Sequence, residues 1–187
     1  MKSTINNFKR SINKKIIIAA AFILLPFYSQ AQASFDKFDG DPNVTSVIVN
    51  KKMFELMSKV KMDANDKDTQ VYMSLLKKLD NLKVFTTNSS KLSSDMKSTV
   101  VGYLKTNPLE ELMRINDGGK NVKIYVKSGA TSSQVRELLM FIEGGAAKSN
   151  ETVLLSLTGN FDLDEISALT EKMKLPGGNE LKKAAKK

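Results

Sequence analysis

Asp117-Gly118-Gly119 stands between two short runs, "LEELMRI" from Leu109 and "NVKIYVK" from Asn121. Asp-Gly followed by glycine is a strong hairpin signal, because a two-residue turn between twisted strands needs positive φ. Beyond the turn, Val122, Ile124 and Val126 alternate with Lys123, Tyr125 and Lys127. That period of two describes a strand with one apolar face and one polar face. A lone hairpin is at best marginally stable in water, so this one needs further strands and a cover over its apolar side.

Other segments supply both. "VTSVIV" (Val44 to Val49) is a β-branched run that reads as strand, "NLKVFTT" (Asn81 to Thr87) alternates, and "TVLLSLTGNF" reads as a further strand. "VRELLMFIE" fits two periods: Val135, Leu138, Leu139 and Ile142 suit a helix, while Leu138, Met140 and Ile142 suit a strand. Helical spacing recurs in Phe54, Met57 and Val60, with Met53 beside them. It recurs in Val71, Leu75 and Leu79, and in Met96, Val100, Tyr103 and Leu104. Asn107-Pro108 ends the third of these helices, since the residue before proline is pushed out of the α region.

The last helix carries the fullest start signal. In "NFDLDEISALTEKM", Asp162 is placed as N-cap and Glu165 at N3, an aspartate form of the capping box. Phe161 and Ile166 flank it as a hydrophobic staple, and Ile166, Leu169 and Met173 form the core-facing stripe.

The N-terminus reads as an address rather than as part of the fold. Lys2, Lys9, Arg10, Lys14 and Lys15 precede a 12-residue apolar run, Ile16 to Phe27, broken by Pro26. Ala31-Gln32-Ala33 follows, small residues at the two positions that signal peptidase inspects, so cleavage is expected between Ala33 and Ser34. The rival is an uncleaved anchor, because the uncharged stretch runs for 20 residues, from Ile16 to Phe35. Ser29, Gln30 and Gln32 weigh against it. No cysteine follows the apolar run, so a lipid anchor is not expected. The expected organisation is a secretory signal at 1–33, a flexible leader at 34–43, one α+β domain at 44–175 and a basic tail at 176–187.

This division changes the charge reading. The chain carries 29 basic and 20 acidic residues, a net +9, but the signal holds five of the basic residues and no acid. Lys182, Lys183, Lys186 and Lys187 crowd the tail, and without them the body balances. The basicity therefore belongs to the two ends, and a nucleic-acid partner is not expected from it. The tail could make weak contact with anionic membrane, against the simpler reading of a solvated end.

Chemistry is bounded by what is missing. There is no cysteine and no histidine. Disulfides, thiolate or imidazole zinc sites, and Ser-His or Cys-His nucleophile pairs are therefore excluded. Asp162, Asp164 and Glu165 could be read as a catalytic or metal cluster, but capping and the helix dipole already account for acids at that position. Asp36, Asp39 and Asp41 fall short of a calcium-loop pattern. The Gly-Gly pairs after Asp117, Glu143 and Pro176 follow no nucleotide-binding spacing and read as turns. Met53, Phe54 and Met57 form a soft apolar patch that reads more readily as core than as a binding surface. Asn43, Asn88 and Asn150 begin acceptor patterns for glycosylation, relevant only in a host that glycosylates them. No catalytic residue, cofactor or metal site is expected. Lys123, Tyr125 and Lys127, facing away from the apolar side of their strand, are the candidate partner surface.

The order "VIVNKKMFELM", "LDNLKVFTT", "NVKIYVK", "VLLSLTGNFDLDEI" resembles domain of unknown function 4252, a family of small exported proteins of Bacteroidetes. The likeness runs from about Val44 to Met173, and "LTGNFDLDEI" is its most specific piece. The resemblance implies a small α+β domain with an export or lipoprotein signal and no agreed activity. It also favours strand for "VRELLMFIE". The expectation is then an antiparallel or mixed sheet of about five to six strands, four of them consecutive from Leu109 to Phe161, with two to four helices packed on one face.

The functional expectation is an exported domain, periplasmic or extracellular and not lipid-anchored, that binds a protein or envelope component without catalysis. One alternative is a carboxylate-dependent hydrolase of the periplasm, which would need two acids about 5–9.5 Å apart in a cleft. The other is a peripheral membrane protein held by the basic tail.

Overall fold

The computed structural model describes residues 31–60, 66–131, 133–144 and 150–185. The chain divides into two compact units, Met1–Asp36 and Lys37–Lys187. Residues 1–30 of the expected signal at 1–33 lie outside the described residues. Ala31, Ala33 and Ser34 fall in a 3-10 turn, Ala31–Phe38.

The second unit is built on six strands: β1 (Thr45–Asn50), β2 (Leu79–Thr87), β3 (Glu110–Asp117), β4 (Lys120–Ser128), β5 (Gln134–Glu143) and β6 (Thr152–Asp162). Five helices accompany them: α1 (Lys51–Met57), α2 (Lys67–Lys78), α3 (Ser90–Thr106), α4 (Ile166–Met173) and α5 (Gly178–Ala185). The sheet order is β1-β2-β6-β5-β4-β3, and each neighbouring pair is antiparallel. This is the expected α+β fold. Strands β3 to β6 form a meander, and β6 returns beside β2 to join it to the β1–β2 pair.

Turn chemistry explains the meander's start. Asp117 pairs with Lys120, and Gly118 and Gly119 between them have φ of 56° and 89°. Only glycine takes both positions without steric cost. The segment with two readings, "VRELLMFIE", is strand β5. Its helix-like run of apolar residues arises because this inner strand is buried on both faces.

One face of the sheet carries the main core. Val49, Leu82, Val84, Val122, Ile124, Leu138, Met140, Val153 and Leu155 pack there with Phe54 of α1, Leu75 and Leu76 of α2, Leu169 of α4 and Leu181 of α5. The alternate positions, Phe85, Leu139, Phe141 and Leu154, are buried on the opposite face. Helix α3 belongs to that face: Ser93 Oγ lies 2.7 Å from Thr152 Oγ1, Lys97 bonds Glu143, and Tyr103 bonds Glu137. Helices therefore cover both faces, not the single face expected. The reason is compositional: β5 and β6 are apolar at consecutive positions and leave no face that water can occupy.

Three other expectations are corrected. The basic tail is not a separate end, because residues 178–185 form α5 with Leu181 and Ala184 buried. In the leader, Phe38 is buried edge-on against Phe85 at 5.9 Å, and Asp39 accepts a 2.7 Å bond from Ser46 Oγ. Leu79, assigned to a helix stripe, begins β2.

Candidate functional site

Two surfaces merit attention. The first is a groove of about 490 Å³ between α2 and α4, lined by Asp68, Val71, Asp164, Glu165, Ser167, Ala168 and Glu171. Two of its acids, Glu165 and Glu171, are engaged locally. The capping box is present: the Asp162 side chain accepts from the Glu165 backbone, and Glu165 Oε2 accepts from Asp162 N at 3.1 Å. It opens a 3-10 turn, Leu163–Glu165, that leads into α4. Phe161 and Ile166 on either side are both buried. Lys78, at the end of α2, bridges Glu165 at 2.8 Å and Asp162 at 3.3 Å, and its bond to Glu165 holds its ammonium above the usual lysine range.

At the rim, the Thr69 hydroxyl donates to Asp66 at 2.6 Å and holds that carboxyl below its ordinary range. Lys182 does the same for Glu171. A carboxylate pair that works as acid and base needs one member held protonated at neutral pH. Burial pushes the Glu137 carboxyl above its ordinary range, but Glu137 lies under α3 on the opposite side of the sheet from this groove. Among the described residues no group of three metal-capable side chains converges. Glu165 caps α4 and, through Lys78, ties it to α2, while Glu171 pairs with Lys182 of α5.

Lys123, Tyr125 and Lys127 sit on the α3 side of β4, opposite Val122, Ile124 and Val126. In register, Tyr125 lies between Glu111 and Leu139, and Lys123 between Arg114 and Phe141. Arg114 grips Glu111 with two bonds of 2.9 and 2.6 Å and lowers its carboxyl. Burial raises the Tyr125 phenol. Lys123 and Tyr125 are half-buried and Lys127 is exposed. Lys182 and Lys183 lie on α5, with Lys182 paired to Glu171, while Lys186 and Lys187 lie outside the described residues.

The second surface is the β1–α1 edge. Among the described residues six large apolar side chains are exposed, and five of them fall between positions 47 and 60: Val47 (44%), Ile48 (42%), Met53 (50%), Leu56 (51%) and Val60 (58%). Local sequence explains the geometry. β1 is an edge strand, apolar at Val47, Ile48 and Val49, so both of its faces are greasy. Asn50 then caps α1, its Oδ1 accepting from Met53 N at 3.0 Å. Phe54, with the partly buried Met57 beside it, anchors this seven-residue helix in the core, which leaves Met53 and Leu56 outside. A cluster of this kind on a folded domain marks an interaction surface more often than scattered apolar residues do.

The family model for a domain of unknown function (DUF4252) matches residues 38–169. The chain belongs to the DUF4252 family. No curated protein and no solved structure matches it. The DUF4252 match takes in all six strands, α1 to α3 and the first half of α4, and stops before α5. The β1–α1 edge thus lies inside the DUF4252 domain.

The stretch that carries the DUF4252 likeness most specifically, "LTGNFDLDEI", is structural in content. Leu157, Phe161 and Ile166 are buried, Asp162 and Glu165 form the cap, and Gly159 permits a close crossing of the α2–β2 junction. Val47, Ile48 and Leu56 were not legible as surface in the sequence. Val60 was expected on a helical stripe with Phe54 and Met57, with Met53 beside it, and the exposure of Val60 and Met53 corrects that. The available signal was the absence of alternation in "TSVIVN", but nothing local says that this strand ends the sheet.

Proposed function

We propose that this DUF4252 chain is an exported, non-enzymatic domain that binds a protein or envelope component through its β1–α1 edge. The observation that supports the reading is the concentration of exposed apolar side chains from Val47 to Val60 on an edge strand and the helix that follows it. An edge strand offers unpaired backbone donors and acceptors, and flanking apolar side chains supply the rest of a protein contact. Export is supported by the basic start, the short apolar run and Ala31-Gln32-Ala33. Among the described residues no helix is long and apolar enough to cross a membrane.

The test has two parts. Mass spectrometry of the protein from the exported fraction should give a chain beginning at Ser34; a mass that retains residues 1–33 there would overturn the export reading. Affinity capture from envelope extract, or self-capture with a differently tagged copy, should retain a partner that Ile48→Glu and Leu56→Glu release. Retention unchanged by both substitutions would remove the edge as the binding surface.

A further inference from the structure

We infer that the occupant of the β1–α1 edge is a second copy of this chain, joined β1 to β1 about a two-fold axis. The inference rests on the reading of that edge as a binding surface and names its partner. It begins with the contrast between the two edges of the sheet. β3, at one end, carries Glu110, Glu111, Arg114 and Asp117, and its register is broken by an irregularity between Glu111 and Met113. Charges and bulges are the devices that keep sheet edges from pairing. β1, at the other end, carries no charge and no proline and keeps unbroken register with β2 over all six residues. One edge is guarded and the other is open.

The open edge is complementary to itself. A two-fold axis perpendicular to the sheet makes the copies antiparallel and pairs residues of the same face. An axis through Val47 sets Val47 against Val47, Thr45 against Val49 and Ser46 against Ile48. An axis through Ile48 sets Ile48 against Ile48, Val47 against Val49 and Ser46 against Asn50. Both arrangements oppose only uncharged side chains. They also cover Val47 and Ile48, which the monomer leaves in water.

The flanks agree with the same symmetry. Asp39 and Asp41 precede β1, and Lys51 and Lys52 follow it. Antiparallel pairing brings the acidic approach of one copy beside the basic exit of the other, twice. Lys51 and Lys52 now contact Asp80 and Glu55, but those pairs are solvent-exposed and weak, so the lysines are free to exchange partners. A parallel partner strand would not set these opposite charges side by side. Met53, Leu56 and Val60 lie in the segment that flanks the joint, where a second copy would shelter apolar surface in addition to the strand pairing.

The chain has no cysteine, so a single introduced thiol reports its own environment. Facing residues of an antiparallel pair have Cβ atoms about 4.5–5.5 Å apart, close enough for a disulfide after small adjustment. In the full-length product, mild oxidation of Val47→Cys or Ile48→Cys is expected to give a covalent homodimer at whichever position lies on the axis. Glu110→Cys on the guarded edge should form no covalent dimer. Sedimentation equilibrium should give twice the monomer mass for the unmodified chain and the monomer mass for Ile48→Glu. Lys51→Glu should weaken the dimer, and adding Asp41→Lys should restore it. A chain that is monomeric throughout and forms no crosslink, yet captures an envelope protein that Ile48→Glu releases, would overturn self-pairing and leave the binding reading standing. A monomer whose captured partner ignores Ile48→Glu would overturn both. A dimer that survives Val47→Glu and Ile48→Glu would overturn the β1 joint.

Discussion

Tyr103 donates a 2.5 Å hydrogen bond to the carboxylate of Glu137, and so ties α3 to the centre of the sheet. Glu137 is only 7% exposed, and burial pushes its carboxyl above the ordinary range, with the Tyr103 bond and Lys127 opposing the shift. A raised native pKa means that the folded state holds this proton after the unfolded state has released it. Stability from this group is therefore fully present below the ordinary carboxyl pKa and is lost as pH rises through the raised native value. Glu137→Gln keeps an acceptor for Tyr103 and removes the charge. Its stability relative to the parent, from urea midpoints, should be highest near neutral pH and fall as the solution is acidified. A difference that does not vary with pH would refute the assignment. Tyr103→Phe strands the buried acid and should cost roughly 1–3 kcal/mol at neutral pH.

The cap of α4 gives a second expectation. Glu165 serves both the Asp162 backbone and Lys78. Asp162→Ala should cost about 1 kcal/mol, the ordinary value of an N-cap. In a double-mutant cycle, Glu165→Ala and Lys78→Ala should be non-additive, because they share one contact. Additive losses would mean that the bridge at 2.8 Å contributes nothing in solution.

Gly159 should tolerate no side chain. A Cβ there would stand 2.4 Å from the Lys78 carbonyl oxygen and 2.9 Å from Leu79 Cα, both backbone atoms. Gly159 is the register partner of Leu79, where the end of α2 turns into β2. Gly159→Ala should cost about 1–3 kcal/mol by forcing that junction away from β6. Gly102→Ala is the control: nothing lies within 4 Å of its Cβ, and an exposed helical glycine gains up to about 1 kcal/mol from alanine. Equal effects at the two glycines would contradict this packing.

Leu181→Ala tests whether the basic C-terminal segment is part of the fold. Leu181 is 2% exposed and belongs to the main core, and Lys120 holds the neighbouring Glu180 at 2.7 Å. The substitution should cost about 2–5 kcal/mol, as for a buried leucine elsewhere. A cost near zero in a thermal or urea melt would return this segment to a solvated tail.

The family likeness and the individual elements were legible because their signals are local. Glycine at both turn positions after Asp117, the Asp162–Glu165 spacing and the alternation of Val122, Ile124 and Val126 each involve a few neighbouring residues. The lack of cysteine and histidine is legible for another reason: it is a matter of composition, and it limits the chemistry whatever the fold. The candidate binding edge was not legible. Val47 and Ile48 look like core in sequence because β-branched residues usually are core, and Met53 and Val60 look like a helix stripe because their spacing allows it.

What the sequence by itself determined was the kind of structure each short segment prefers and which catalytic classes were closed to the chain. Tertiary structure alone decided that β5 is an inner strand with both faces buried, that "GNELKKAA" folds back as α5, that α3 crosses to the other face, and that β1 ends the sheet. Each of these depends on which segments meet across long stretches of chain. Burial is a property of the assembled layers, and no local period records whether a strand will have one neighbour or two.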